Sequence, residues 1–159
     1  MSSTEAPATT TVHGLDGLRA LAGQDLGASS WIAITQERVN TFAYATGDHQ
    51  WIHVDVERAK KGPFGAPIAH GYLTLSLIIP MFVELLDVRD VGMGVNYGLD
   101  KVRLPSPVKV GSRIRLHGRV GEVEDVPGSG VQATFDFTVE VEGSEKPACV
   151  ARTVYRYYA

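Results

Sequence analysis

The chain has 159 residues, enough for one domain with a buried core. Its 15 basic and 18 acidic residues leave a net charge of −3, and no run of five Lys or Arg occurs, so a nucleic-acid footprint is missing. Cys149 is the only cysteine, which excludes an intramolecular disulfide and fits a reducing cytoplasm.

Residues 1–12 are rich in Ser, Thr, Ala and Pro, with neither the basic start nor the apolar run of a signal peptide. They read as a floppy tail before one domain over residues 13–159. Leu15, Leu18 and Leu21 then repeat at helical spacing up to Gly23, and residues 31–34 are a short β-like run. Thr35 is placed to cap a helix carrying Val39, Phe42, Ala43 and Ala45, which ends at Gly47. Residues 48–52 read as irregular, Asp55 caps a brief helix through Ala59, and residues 61–67 are loop by their Gly and Pro content.

Residues 66–83 contain no Asp, Glu, Lys or Arg. His70, Gly71, Thr74, Ser76 and Pro80 interrupt this stretch too often for a bilayer span, so a buried helix over residues 70–86 is expected, which Pro80 should kink or break into two pieces. Strand-like segments follow at 92–103, 113–123, 132–141 and 148–157, with turns at 126–130 and 142–145. In the third, Ala133, Phe135, Phe137, Val139 and Val141 alternate with polar residues, the mark of a half-buried strand. Helices first and an antiparallel meander after them predict an α+β fold, a sheet curled around a central apolar helix.

Residues 45–55 and 69–71 carry the chemistry. Asp48 and His53 stand five residues apart just after Gly47. A carboxylate and an imidazole that meet across a tight turn can pass protons to and from one small molecule. The backbone N–H of Gly71, at the start of a helix, can steady negative charge on a carbonyl oxygen. Each piece alone has a plain explanation: Asp48 as a turn cap, His53 as a core histidine, Gly71 as the residue of a tight turn. His70 reads as a local hydrogen-bonding group that shapes Gly71, and Leu73, Leu75, Leu77, Ile78 and Phe82 read as core with one side free to line an apolar tunnel. Tyr155, Tyr157 and Tyr158 read as strand packing.

Other chemistries fit less well. His49 and His53 have HxxxH spacing, but Gly47 ends the preceding helix and no further Cys/His cluster exists, so no metal is expected. There is no Gly-x-Ser-x-Gly elbow, and Cys149 has no histidine near it in sequence.

The run Phe42-Ala43-Tyr44-Ala45-Thr46-Gly47-Asp48-His49-Gln50-Trp51-Ile52-His53-Val54-Asp55 resembles the hydratase-2 motif of the MaoC-like (R)-specific enoyl-CoA hydratases. Pro67-Ile68-Ala69-His70-Gly71 and Leu104-Pro105-Ser106-Pro107-Val108-Lys109-Val110-Gly111 are similar to later pieces of the same family, in the same order. The likeness covers about residues 15–158 and is nearest the small single-domain mycobacterial type. Two departures concern chain-length preference more than chemistry. The family's Asn-Pro is Gln50-Trp51 here, and a Ser that lines the pocket in some members is Ile79.

The resemblance implies a hot-dog fold, an antiparallel sheet wrapped around a long central helix and usually dimeric. It implies reversible syn addition of water to a trans-2-enoyl thioester, with His53 as base and Asp48 as proton donor or its partner. Gly71 N–H would serve the thioester oxygen. Gln50 and His70 join the substrate contacts, with Lys60, Lys61, Lys101 and Arg103 as cations for the charged arm of CoA or an acyl carrier protein. No redox cofactor or metal is implied. A hot-dog thioesterase and a non-catalytic acyl-thioester-binding subunit are the alternatives on the same fold.

Overall fold

The computed structural model describes residues 7–159, so the first six residues of the expected tail lie outside the described residues. The chain opens with β1 (Thr10–His13) and α1 (Gly14–Arg19). Next come β2 (Asp25–Ala28), β3 (Ile32–Ala33), α2 (Gln36–Thr46), α3 (Trp51–Val54) and α4 (Val56–Lys60). The central helical segment is α5 (Gly71–Ser76) and α6 (Ile78–Leu85), followed by β4 (Leu86–Arg89). Four long strands finish the chain: β5 (Met93–Arg103), β6 (Arg113–Val126), β7 (Gly130–Val141) and β8 (Cys149–Tyr158).

The main sheet is antiparallel in the order β2-β6-β7-β8-β5, with β3 also pairing with β6. Its register follows the pattern of β7: Ala133, Phe135, Phe137 and Val139 are fully buried toward the helices, while Asp136 and Glu140 on the other face pair with Arg152 and Arg115. Phe82 of α6 inserts edge-on against Phe135 and Phe137, at ring distances of 4.8 and 5.0 Å, and so seats the helix on the sheet.

The caps read from the sequence form as expected. Thr35 Oγ1 accepts from Arg38 N–H at 3.1 Å, Asp55 Oδ1 accepts from Arg58 N–H at 3.1 Å, and Gly47 ends α2 at a left-handed φ of 78°. The left-handed turn swings the chain away from α2 and presents Asp48.

Two expectations need correcting. Thr10–His13 is a strand, paired in parallel with β4, where a loose tail was expected through Val12. Residues 51–54 form the single-turn α3, where residues 48–52 were expected to be irregular; Gln50 supplies no side-chain cap to announce it. The strands β2 and β4, too short to show a period of their own, went unread. The central helix is in two pieces, as expected, and the break falls at Leu77. Pro80 still causes the break, since its ring crowds the carbonyl four residues earlier and it cannot donate to it. The chain therefore restarts as α6, where Pro80 lies in the first turn and its missing N–H has no intrahelical partner to lose. Among the described residues no helix is long and apolar enough to cross a membrane.

Candidate active site

His53, on α3, is 6% exposed. A backbone carbonyl can only accept, so the 2.6 Å contact between His53 Nδ1 and the Ile68 carbonyl places the proton on Nδ1 and leaves Nε2 with its lone pair. The carbonyl is itself pinned: Ile68 N–H donates to Ile52 C=O at 3.0 Å, and Ala69 N–H donates to Val108 C=O at 2.8 Å. On the other side Gln36 Nε2 donates to the His53 carbonyl at 2.8 Å. Burial pushes the imidazole below its ordinary value of 6.5, assisted by His70, while the Ile68 carbonyl and Asp48 pull it upward.

Asp48 follows the left-handed Gly47 and is exposed. One donor atom each from Asp48, His53 and His70 lie within 4.8 Å of one another. That separation lets one water bridge the carboxylate and the imidazole with two hydrogen bonds of ordinary length. His70 is 2% exposed; its Nε2–H donates to the Asp48 carbonyl at 3.0 Å. Its ring stacks on His53 with centroids 3.9 Å apart and planes 24° from parallel, and Phe42 packs on it at 4.8 Å. Its Nε2–H and ring are thus engaged by Asp48, His53 and Phe42.

Gly71 is the first residue of α5, and its N–H donates to no group among the described residues. A Cβ there would lie 2.6 Å from Leu104 Cδ1, so space rather than an unusual φ calls for glycine. Gln50, exposed, precedes α3 and donates its backbone N–H to Asp48 Oδ1 at 3.3 Å. The four cations are scattered. Lys60 pairs with Glu57 at 3.4 Å, Lys61 is exposed after α4, and Lys101 and Arg103 are exposed on β5.

A groove of about 330 Å³ lies between the central helices and β5–β8, lined by Leu75, Ile78, Ile79, Tyr97, Leu99 and Tyr155. Leu75 lies one turn after Gly71 on α5, and with Ile79 of α6 it forms the helical wall of the groove. Leu75 and Ile79, expected as core and as a pocket position respectively, both line it.

Two residues escaped the sequence reading, Gln36 and the Ile68 carbonyl. Both reach His53 across more than a dozen residues, and no local pattern announces such contacts.

The cluster of Asp48, His53 and His70 is also the set that could hold a metal ion. Its chemistry is unfavourable for that. With the rings nearly parallel, a point about 2.0–2.1 Å from both nitrogens would sit far out of both ring planes. Cys149 is fully buried, and burial pushes its thiol up to about 11, so it is no nucleophile.

Comparison with known proteins identifies the family. The chain is 54% identical over 149 residues to the 3-hydroxyacyl-thioester dehydratase Z of Mycobacterium tuberculosis, covering 94% of this chain and 99% of that protein. The structure of a monoamine oxidase regulatory protein from Archaeoglobus fulgius superposes with a TM-score of 0.78 at 27% identity, covering 95% of this chain and 98% of the other. An (R)-hydratase from A. caviae involved in PHA biosynthesis shares the fold, with a TM-score of 0.68 at 20% identity over 84% of this chain and 94% of that one. Residues 18–141 match the family described as MaoC like domain. With that match spanning most of its length, the chain belongs to the MaoC-like family, on a hot-dog fold.

Proposed function

We propose that the protein is an (R)-specific enoyl-thioester hydratase that also runs in reverse as a 3-hydroxyacyl-thioester dehydratase in acyl-chain metabolism. The observation that carries this reading is the approach of the Asp48 carboxylate to the His53 imidazole within 4.8 Å, beside the helix start at Gly71. Its 54% identity to a protein named as a 3-hydroxyacyl-thioester dehydratase supports the same reaction. The (R) outcome rests on the likeness to the hydratase-2 motif.

In the hydration direction the Asp48 carboxylate and the neutral His53 flank one water. As the water oxygen bonds C3, one of its protons passes to His53 Nε2, while Asp48 accepts a hydrogen bond from the other. The C2=C3 electrons move toward C2 and the thioester oxygen, which Gly71 N–H steadies, and C2 then takes the proton from the imidazolium. His53 is neutral again at the end, so water is the only reactant consumed besides the enoyl thioester. A positioned acid or base contributes about 10²–10⁴-fold, and one oxyanion donor is worth about 3 kcal/mol.

The acyl tail would follow the groove past Leu75 and Ile79, and the CoA or carrier-protein arm would meet the surface cations. We read the chain as a cytoplasmic homodimer. The edge strand β5 exposes Met93, Tyr97 and Leu99, and the helices expose Tyr72, Ile79 and Val83 beside it, a surface suited to a second copy. The test of the reaction is loss of enoyl absorbance when the purified protein meets crotonyl-CoA, with chiral analysis of the product. An (R)-3-hydroxyacyl product supports the reading. An intact double bond with release of free CoA overturns it in favour of a thioesterase.

A further inference from the structure

Three parts of the site come from three pieces of chain: Asp48 from the loop after α2, His53 from α3 and Gly71 from the start of α5. To share one water and one thioester they must be registered closely, since a misplacement of about 1 Å can reduce rate about 10²-fold. The loop cannot supply this alone. Residues 48–50 are exposed, and the side-chain contacts that fold them locally are long: Asp48 N–H to Thr46 Oγ1 at 3.4 Å and Gln50 N–H to Asp48 Oδ1 at 3.3 Å.

His70 touches all three parts. Its Nε2–H holds the Asp48 carbonyl at 3.0 Å, the one bond to that carbonyl among the described residues. Its ring face lies on the His53 ring, and Phe42 packs against it at 4.8 Å. Its own carbonyl accepts from Leu73 N–H at 3.0 Å and Thr74 N–H at 3.1 Å, which starts α5 and so fixes the direction of Gly71 N–H. His70 Nδ1 is sealed from solvent without a partner among the described residues. A buried ring nitrogen left unpaired is destabilising, and a phenyl ring would fill the same space without it. What histidine adds over phenylalanine is the Nε2–H that Asp48 receives.

We infer that His70 is a positioning residue, a buried wedge that keeps Asp48, His53 and Gly71 N–H in register without touching substrate. Its kinetic consequence rests on the hydratase reading above, whereas its structural consequence does not. His70→Phe keeps the ring and removes the donor; His70→Gln removes the ring and returns a side-chain N–H of similar reach. On crotonyl-CoA the Phe variant is expected to lose about 10²-fold in kcat with KM changed less than about threefold, and the Gln variant to recover about tenfold of that loss. In ¹⁵N relaxation, order parameters of residues 48–50 should fall from about 0.85 to below about 0.6 in the Phe variant and lie between in the Gln variant. Should the Phe variant not fold, His70→Asn, with an amide too short to reach the Asp48 carbonyl, takes its place.

A folded Phe variant with unchanged kcat and unchanged order parameters overturns the inference, as does a Gln variant no faster than the Phe one. If the parent protein leaves every enoyl thioester untouched, the hydratase reading fails and the order parameters alone decide. A fall then still supports positioning by His70, and no change overturns it.

Discussion

The 2.6 Å hydrogen bond from His53 Nδ1–H to the Ile68 carbonyl decides which imidazole nitrogen is free to act as a base. Because that carbonyl belongs to a segment bonded to Ile52 and Val108, it cannot follow the ring, and the ring cannot turn without losing the bond. Replacing His53 with Ala therefore has two consequences. The base is lost, for an expected fall of about 10²–10⁴-fold in kcat/KM. The Ile68 carbonyl is left unpaired in a buried place, a destabilisation of about 1–3 kcal/mol. Initial rates and urea unfolding on the same preparation check both, and a stable variant with parental kcat/KM would remove His53 from the mechanism.

The pH dependence follows from the burial of the same ring. His53 must be neutral to accept a proton, and burial holds its pKa below 6.5. Activity should therefore persist as pH falls past 6.5 and decline only through the lowered value. Stability carries the corresponding sign. Above pH 6.5 the ring is neutral folded and unfolded; below it the unfolded chain takes up a proton that the folded one resists, so stability is lost as pH falls through the folded value. Glu140, held below 4.5 chiefly by Arg115, adds a further loss in more acid solution. Urea midpoints between pH 7.5 and pH 5, estimated about every half unit, should decline in the parent and flatten in His53→Gln. Parallel curves would assign the loss to other groups.

Asp48 offers the cleanest separation of chemistry from folding. It is exposed, and among the described residues its carboxylate receives only the long bond from Gln50 N–H. Asp48→Asn should shift stability by no more than about 0.5 kcal/mol while lowering kcat about 10²–10⁴-fold. Thermal melting beside crotonyl-CoA kinetics reads the two effects. Unchanged kcat would remove Asp48 from the mechanism.

How far the sequence reveals this arrangement depends on the range of the forces involved. Thr35, Gly47 and Asp55 act within four residues of themselves, so the helix ends they set are readable directly. The alternation of Phe135, Phe137 and Val139 likewise records one sheet face against the helices. The resemblance adds the identities of Asp48, His53 and Gly71, which composition and spacing leave open. What stayed hidden is relational: the parallel pairing of β1 with β4, the Gln36 contact to His53, and the stacking of His70 on His53. Even the helix break was readable as a consequence of Pro80 yet not in position, because a proline acts on the carbonyl one turn upstream.

Gly71 faces two demands that one pair of variants can separate. Its missing side chain leaves room for Leu104 Cδ1, and it leaves the N–H open to a thioester. Leu104 is 43% exposed and the conflicting atom is the end of a flexible chain, so Gly71→Ala should destabilise by no more than about 1 kcal/mol. Its kcat/KM should fall at least about tenfold as the methyl crowds the oxygen that the N–H serves. Adding Leu104→Ala removes the packing conflict. If crowding of the thioester is the cause, the double variant stays slow; recovery of the parental rate would make Gly71 a packing residue only.

The dimer prediction turns on an edge. β5 pairs with β8 on one side only, and Tyr97 and Leu99 expose 58% and 48% of their surfaces there. Edge strands with exposed apolar side chains invite pairing unless something covers them, and a Lys on the edge discourages it. Tyr97→Lys together with Leu99→Lys should convert a dimer to a monomer in sedimentation velocity. The same two side chains line the groove proposed for the acyl tail, so the monomer should also bind longer enoyl chains more weakly, with KM rising more than kcat falls. A parent protein that sediments as a monomer at micromolar concentration would reject the pairing outright. A variant that stays dimeric would move the contact to another face, leaving β5 to shape the groove alone.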